Sequence, residues 1–291
     1  MRLSGYAIDL GGTKTAAARI EEGQVIDRLQ HPTDPAADME AQLQALAPML
    51  AELGYSFGDP LGVAVAGRVD SAGNWHAVNT GTLRSITAAP LGTALRERFG
   101  PNVAAVNDAA AAALAEARLG AGQGAYNFAY LTVSTGIGGG LVLGGRLVDS
   151  LNGLAGHVGF SSSRLGSSLC GSGRFGTVES VAGGRAIAEA AGLPDARAVF
   201  EDGNFQPVID RSAAAVAGLI ADLTAILGLD RVAVGGSIGL AEGYLTRVTG
   251  HLNVEPPLFK PQIVPAQLVH DSGLIGALLA VADVAKVDPG T

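Results

Sequence analysis

Hydrophobic positions alternate over two separate stretches of this chain, and each stretch predicts an antiparallel meander. In the first we expect a strand at Tyr6–Leu10, a glycine turn, a strand at Thr15–Ile20, a Glu-Gly turn and a third strand. The second stretch has the same order, with strands at Phe128–Val133 and Gly140–Leu143 and a Gly-Gly turn before a further strand. The repetition predicts two related halves.

Helical spacing predominates between and after the meanders. The segments DMEAQLQALAPMLAEL, SAAAVAGLIADLTAILG and SGLIGALLAVADVA have apolar residues at the intervals of helices, while PLGVAVAG is typical of a short buried strand. In VAAVNDAAAAALAEARLG and DRVAVGGSIGLAEGYLTRVTGHL, a strand leads into a helix. Strands that alternate with helices predict an α/β fold, with a hairpin at the start of each half.

Composition and charge exclude several classes of protein. The 291 residues carry a formal net charge of −8 without a cluster of Lys or Arg, so we expect no nucleic-acid partner. No apolar run approaches the roughly 18 to 20 residues of a membrane span, and the opening MRLSGYAIDL lacks the pattern of a signal peptide. The single cysteine excludes an internal disulfide and agrees with a reducing compartment, so we predict a cytoplasmic protein without a membrane partner.

Glycine turns in the two meanders are candidate phosphate sites. Glycine lets backbone N–H groups approach phosphate oxygens closely, and nearby hydroxyls add further donors. The candidates are Gly11, Gly12, Thr13, Lys14, Ser134, Thr135, Gly136, Gly138 and Gly139. If the halves pack as pseudo-twofold mates, we expect the two turns to face one another across a nucleotide cleft. Each turn taken alone is also typical of a tight β-turn.

A third glycine turn and one carboxylate extend this candidate site. Gly235, Gly236 and Ser237 follow a strand and precede a helix, which would suit the adenosine or the α-phosphate. Asp9 is the last polar residue before the first turn, and its carboxylate would hold Mg²⁺ through water, because Mg²⁺ keeps much of its hydration. The alternative role for Asp9 is a carboxylate that stabilises the turn.

The loop LCGSGRFGTVE at residues 169–179 contains the one cysteine, Cys170, and a Gly-x-Gly-x-x-Gly spacing. A dinucleotide-binding turn needs a hydrophobic strand directly before it, whereas the preceding residues SSSRLGSSL have loop composition. One thiolate is also too few for a structural zinc, which takes four nitrogen or sulfur ligands. The spacing alone therefore assigns neither role to this loop.

Five segments in sequence order resemble the ROK family (repressor, open reading frame, kinase): AIDLGGTKTAAARI, AVNDAAAAALAEARLGAG, TVSTGIGGGLVLGGRL, GLAGHVGF and AVGGSIGLAEGY. The resemblance spans nearly the whole chain and implies an α/β protein of the actin-like ATPase (ribonuclease H-like) fold, with a nucleotide and sugar cleft between two related domains. We expect an N-terminal domain at 1–109, joined by the last helix at about 272–286, and a C-terminal domain at 110–271.

The resemblance is to the kinases of the family rather than to its repressors. Repressor members carry an N-terminal helix-turn-helix domain, and this chain starts directly at the first candidate phosphate turn. The resemblance then implies ATP and Mg²⁺, a small-molecule sugar and a homodimer.

The resemblance also implies that Asp108 is the general base of the reaction. A carboxylate at a strand-to-helix junction could accept the proton of a sugar hydroxyl that attacks the γ-phosphorus, and the alternative role is a helix cap. Without the resemblance, Asn79 reads as a turn residue and Glu179 as a surface charge. Amides, imidazole and carboxylates suit a pyranose, and the matching sugar-binding positions are Gly67, Asn79, Asn107, Asp108, His157 and Glu179.

Within the family, two segments resemble the bacterial N-acetylmannosamine kinases. In GLAGHVG, His157 stands where most hexokinases of the family carry glutamate, and GGSIGLAEGYL is similar to the C-terminal motif of these kinases. The implied reaction is ATP-dependent phosphorylation of the C6 hydroxyl of N-acetylmannosamine, in the catabolism of sialic acid and amino sugars. The alternatives are the same chemistry on glucose, fructose or N-acetylglucosamine, and a non-catalytic sugar sensor that has kept the fold.

Most kinases of the family hold a structural zinc with one histidine and three cysteines in the segment that matches residues 160–179. Those four positions here are Phe160, Cys170, Ser172 and Thr177. Neutral hydroxyls are poor zinc ligands and a phenyl ring is none, so we expect no zinc. We hypothesise that burial of Phe160 and Phe175 fixes the loop in place of the metal.

Overall fold

The computed structural model describes residues 3–79 and 81–287 and divides the chain into two compact units. The first unit comprises Met1–Ala115, Asp149–Leu154 and His270–Thr291, and the second comprises Glu116–Val148 and Ala155–Val269. The chain enters the second unit after Ala115 rather than after residue 109, and the last helix belongs to the first unit.

The described elements alternate strands and helices, as the periodicity predicted. Those of the first half of the chain are β1 (Gly5–Leu10), β2 (Lys14–Glu21), β3 (Gln24–Pro32), α1 (Met39–Glu52), β4 (Leu61–Val65), β5 (Arg68–Val69), β6 (Trp75–His76), α2 (Leu91–Phe99), β7 (Val103–Asn107), α3 (Asp108–Leu119), β8 (Asn127–Val133), β9 (Ile137–Leu143) and β10 (Arg146–Leu147).

The remaining helices and strands belong to the second unit, apart from the last helix. They are α4 (Glu179–Ala182), α5 (Gly184–Ala191), α6 (Ala196–Glu201), α7 (Gln206–Leu227), β11 (Arg231–Gly235), α8 (Gly236–Gly239), α9 (Tyr244–Leu252), β12 (Gln262–Pro265) and α10 (Ser272–Val287). Short 3₁₀ turns lie at Val158–Phe160, Gly203–Phe205 and Pro257–Phe259.

Each unit is built on a five-stranded sheet with the same topology. The first sheet has the order β3-β2-β1-β4-β7, and the second has the order β10-β9-β8-β11-β12. In both, the first three strands form an antiparallel meander and the other two continue the sheet in parallel. The repeated hydrophobic pattern therefore corresponds to a repeated architecture.

Helix α10 packs closely on the first sheet, where it contacts β1, β4 and β7. A methyl group at Gly62 of β4 would lie 2.2 Å from the carbonyl oxygen of Ala277, and one at Gly276 would lie 1.7 Å from that of Ala111 in α3. Ala64, Ala111 and Ala277 are fully buried together beside these contacts. Small residues on α3, α10 and β4 thus let three backbones approach one another within the core of the first unit.

The segment Asp149–Leu154 lies in the first unit although it follows the second meander. The N–H of Ser71 donates to the carbonyl of Leu151 at 3.0 Å, and a methyl at Gly153 would lie 2.2 Å from the carbonyl oxygen of Val69. The domains expected from the sequence did not include this attachment, because it depends on backbone contacts that have no periodic signal.

The glycine turn of the second meander is shorter than predicted. Ile137 already pairs with Val133, so Gly138 and Gly139 lie in β9 rather than in the turn. A methyl at Gly139 would lie 2.6 Å from the Val158 side chain. The prediction that both glycines form the turn was therefore wrong, since strand pairing extends to Ile137. None of the described helices has both the length and the apolar content that a membrane span requires.

Two glycine-to-alanine substitutions in helices test the close packing of α10. Gly276→Ala should destabilise the protein by about 1–3 kcal/mol, because the new methyl overlaps the Ala111 carbonyl. Gly218→Ala is the matched control: no atom lies within 4 Å of its new methyl, so it should stabilise α7 by about 0.5–1 kcal/mol. Thermal melting measures both, and a shift of the two melting temperatures in the same direction would contradict this account.

Candidate active site

The junction of β7 and α3 orients the Asp108 carboxylate. The Asn107 side chain caps α3, because its Oδ1 accepts the N–H of Ala110 at 3.0 Å. Its Nδ2 donates to Asp108 Oδ1 at 2.8 Å and to the carbonyl of Gly67 at 2.7 Å. Asn107 therefore supplies the cap, and three predicted sugar-site residues lie in hydrogen-bond contact.

Asp108 has one carboxylate oxygen engaged by the protein. Its Oδ1 accepts the N–H of Ala109 at 2.8 Å as well as the Asn107 amide at 2.8 Å. Burial raises the pKa of Asp108 above its ordinary value, although these hydrogen bonds act in the opposite direction. A general base is most effective when its pKa lies near the operating pH, so a raised pKa makes a carboxylate a better base near neutral pH.

Asp9 is a half-buried carboxylate near the end of β1, in the same unit as Asp108. Burial raises its pKa to about 7, and the negative charge of Asp108 contributes further. Arg28 and Lys14 lower it, but across the described part of the chain no hydrogen bond or ion pair reaches the Asp9 carboxylate. A desolvated carboxylate beside a second one suits a hard divalent cation, so Asp9 fits the predicted Mg²⁺ role.

The first candidate phosphate turn lies against the loop that carries Asn79. A methyl at Gly12 would lie 2.2 Å from the Thr82 side chain, and Asn79 Oδ1 accepts the N–H of Gly81 at 2.8 Å. Thr13 is exposed in the turn, whereas Lys14 is the first residue of β2 rather than part of the turn. Gly11 closes the turn, because its N–H donates to the Lys14 carbonyl at 3.1 Å.

The other two candidate turns meet within the second unit. Ser134 Oγ and Ser237 Oγ are 3.1 Å apart. Gly236 is the first residue of α8 and has a φ of +84°, with room for no side chain because a methyl would lie 2.4 Å from the Val133 carbonyl oxygen. Residues far apart in sequence thus present hydroxyls and N–H groups at one place.

Glu179 bridges the glycine loop and the Ser134–Gly136 turn. Its Oε2 accepts the N–H of Ile137 at 3.1 Å and would lie 2.5 Å from a methyl at Gly136. Burial raises the pKa of Glu179, while the N–H groups of Ile137 and Gly171 and the charge of Arg185 lower it. Glu179 is therefore an oriented, half-buried carboxylate rather than a solvated surface charge. Gly136 makes room for it, a reason for glycine that the sequence did not indicate.

The segment that matches the family's zinc site is held by stacking and hydrogen bonds. The rings of His157 and Phe160 stack with their centroids 6.0 Å apart and an interplanar angle of 22°. Cys170 Sγ and Ser172 Oγ are 3.0 Å apart, and Thr177 is fully buried. Although burial alone would raise it, hydrogen bonds with Ser172 and Thr177 lower the pKa of the Cys170 thiol.

Phe175 does not take the buried role that we expected from the sequence. Its side chain is 63% exposed, as is most of Leu169, with which Phe175 forms a β-bridge. The bridge directs both side chains outward, and Thr177 fills the buried position instead. Phe160 is half-buried rather than buried, and its contact with the loop is the stacking on His157. In the described part of the chain, no three His, Cys, Asp or Glu residues are arranged to hold a metal.

A cavity of about 890 Å³ opens beside the Ser134–Ser237 pair, and we call it the second-unit cavity. Its apolar lining includes Leu193, Pro194, Phe200, Ile238 and Ala241. Its polar and charged lining includes Ser134, Thr135, Arg185, Glu189, Asp195, Arg197 and Ser237. This size and mixture suit a nucleoside with its phosphates. The sequence did not indicate most of the lining, because AGGRAIAEAAGLPDARAVF has only the pattern of amphipathic helices.

The model of the ROK family matches residues 5–284 of the chain. The chain belongs to the ROK family. An N-acetylmannosamine kinase of Escherichia fergusonii is 41% identical over 283 residues, which cover 94% of this chain and 96% of that protein. An N-acetylmannosamine kinase of Haemophilus influenzae is 38% identical over 288 residues, which cover 96% and 95% respectively.

Among solved structures, a ROK hexokinase from Thermus thermophilus is similar with a TM-score of 0.84 and 32% sequence identity, over 99% of this chain and 100% of that one. ROK kinases have the actin-like ATPase fold, so the predicted fold class is confirmed. The resemblance drawn from five short segments thus extends over the whole ROK domain.

Asp9→Asn should change the pH dependence of stability. The folded-state pKa of about 7 lies above the ordinary value of 3.8, so the wild type loses stability as pH rises between those values. In EDTA, we expect Asp9→Asn to melt at a higher temperature than the wild type at pH 8, with a difference that shrinks towards pH 4. Asp222→Asn, on the exposed face of α7, is the control. A difference that is constant from pH 4 to pH 8 would show that Asp9 is not desolvated.

Proposed function

We propose that the protein transfers the γ-phosphoryl group of ATP to the C6 hydroxyl of N-acetylmannosamine and forms N-acetylmannosamine 6-phosphate. The observation that carries the proposal is the Asp108 carboxylate, which the β7–α3 junction orients through Oδ1 and whose pKa burial raises. The N-acetylmannosamine kinases of similar sequence over nearly their full length support the choice of sugar.

Asp108 acts as the general base. The sugar hydroxyl must lose its proton as it attacks the γ-phosphorus, and a carboxylate oxygen not engaged by Asn107 or Ala109 can accept that proton. Asn107 orients the base and also reaches the Gly67 carbonyl, so loss of its amide would disturb both.

The nucleotide-binding groups are assigned in each unit separately. In the first unit we assign the triphosphate contacts to Gly11, Gly12, Thr13 and Lys14. In the second we assign them to Ser134, Thr135, Gly136 and Ser237, with the backbone of Gly235 and Gly236. The second-unit cavity provides apolar surface for the adenosine beside these hydroxyls. Gly138 and Gly139 lie in β9, where the absence of a side chain at Gly139 leaves room for Val158.

Asp9 would hold Mg²⁺, and the ion, when bound, would neutralise phosphate charge during transfer. The support is the half-buried carboxylate whose pKa is raised by burial and by Asp108. Because within residues 3–79 and 81–287 no group of three His, Cys, Asp or Glu residues gathers there, water and nucleotide oxygens would complete the coordination.

Sugar recognition is assigned to polar groups that the structure orients. In the first unit these are Gly67, Asn79, Asn107 and Asp108, and in the second they are His157 and Glu179. Amide, imidazole and carboxylate groups can together match the donors and acceptors of a pyranose. The stacking of His157 on Phe160 restricts the orientation of the imidazole ring.

We also propose a cytoplasmic location, a homodimer and the absence of a structural zinc. A cytoplasmic location is supported by the use of ATP and by the single cysteine. The homodimer follows from the family resemblance alone. The absence of a structural zinc is supported by the phenyl and hydroxyl groups at three of the four ligand positions.

Asp108→Asn tests the base. We expect kcat for N-acetylmannosamine phosphorylation to fall by about 10²–10⁴-fold, because the amide cannot accept the proton. The affinity for ATP should be little changed. A coupled ADP-release assay with N-acetylmannosamine, N-acetylglucosamine, glucose, mannose and fructose measures this, with Asp222→Asn as the control.

Wild-type turnover on none of these sugars would favour the sugar sensor, and preference for another sugar would overturn the proposed substrate.

His157→Glu tests the choice of sugar. An imidazole can donate a hydrogen bond, whereas an ionised carboxylate only accepts, so the substitution changes the character of one sugar contact. We expect the ratio of kcat/KM for glucose to kcat/KM for N-acetylmannosamine to rise, by about tenfold for one altered hydrogen bond. An unchanged ratio would remove His157 from sugar discrimination.

A further inference from the structure

Arg185 is a cationic side chain at the second-unit cavity that the sequence did not single out. It is exposed, it lines the cavity together with Ser134 and Thr135, and it lies in the first turn of α5. Among the described residues, its guanidinium has no hydrogen bond or ion pair, and it acts only through its charge on Glu179. An exposed arginine that lines a cavity without a protein partner is available to a ligand.

The backbone fixes Arg185 to the candidate phosphate turn. The N–H of Gly184 donates to the Ser134 carbonyl at 2.7 Å, and the N–H of Arg185 donates to the Thr135 carbonyl at 3.1 Å. A methyl at Gly184 would lie 2.7 Å from the Ser134 carbonyl oxygen, so this contact depends on glycine. The start of α5 is therefore attached to the turn, and Arg185 keeps its place beside it.

The other charged groups of the cavity are already engaged or have the opposite sign. Arg197 pairs with Glu201 one turn along α6 at 2.8 Å, and Asp195 caps that helix by accepting the N–H of Ala198 at 2.9 Å. Glu189 is acidic and would repel an anion. Among the described residues that line the cavity, Arg185 is thus the cation that forms no ion pair, and its backbone N–H is bonded to the Ser134–Gly136 turn.

We propose that Arg185 binds the β- and γ-phosphates of the nucleotide and stabilises their charge during transfer, a role that rests on the proposed use of ATP. The chain has a net charge of −8, which disfavours a polyanion. A local cation at the phosphates would offset this repulsion. A guanidinium presents a planar fork of donors that matches phosphate oxygens, and it keeps its charge at all physiological pH values. Placed where phosphate charge develops, it would favour the transition state.

Binding of adenosine, ADP and ATP, measured by calorimetry in EDTA, separates the phosphate contact from the shape of the cavity. In Arg185→Gln we expect ADP and ATP to bind about tenfold to a hundredfold more weakly, as for a lost hydrogen bond to a charged group. Adenosine should bind as it does to the wild type. Arg185→Lys keeps the charge without the fork and should lie between the two. Arg146→Gln, on β10 of the same unit, removes an equal charge away from the cavity and should match the wild type.

The outcomes distinguish this role from a structural one. The proposal would be overturned if Arg185→Gln bound adenosine and ATP more weakly by the same factor, or if its affinity for ATP were unchanged. If Arg185→Gln melts at a much lower temperature, the affinities of Arg185→Lys are used instead. A ratio of ATP affinity to adenosine affinity below that of the wild type supports the phosphate contact, and an unchanged ratio rejects it. Wild-type protein that binds no ATP would instead overturn the proposed function itself.

Discussion

Close backbone approach at glycines is the constraint on which both units depend. In the first unit, α10 reaches the sheet and α3 because Gly62 and Gly276 leave room for carbonyl groups. In the second, Gly136 leaves room for the Glu179 carboxylate and Gly184 for the Ser134 carbonyl. These contacts are too short for any side chain, so the abundant glycines are packing elements as well as turn residues.

Desolvated carboxylates define the chemistry that this packing allows. Burial raises the pKa values of Asp9, Asp108 and Glu179, and each has a different environment. Asp108 and Glu179 accept backbone N–H groups that orient them, whereas Asp9 has the neighbouring charge of Asp108 and, among residues 3–79 and 81–287, no such donor. The first two environments suit oriented polar contacts with a substrate, and the third suits a cation.

The loop that carries Cys170 is held by contacts among its own polar and aromatic side chains. Hydrogen bonds join the thiol to Ser172 and Thr177, and the Phe160 ring stacks on His157. The hydrogen bonds connect Cys170, Ser172 and Thr177, and the stacking connects Phe160 to His157. Phe175 remains outside because the bridge with Leu169 turns it to solvent. The Gly-x-Gly-x-x-Gly spacing of residues 169–179 therefore belongs to this loop.

Sequence alone determined the repeated meanders, the alternation of strands and helices, and the Asn107–Asp108 junction, because periodicity and capping are properties of neighbouring residues. It also determined the family, through motifs in a fixed order. Tertiary structure alone decided that Gly139 packs within β9, that Asp149–Leu154 joins the first unit and that Arg185 meets the Ser134–Gly136 turn. Those features arise from contacts between residues far apart in the chain, where the shape of one segment decides what another can do.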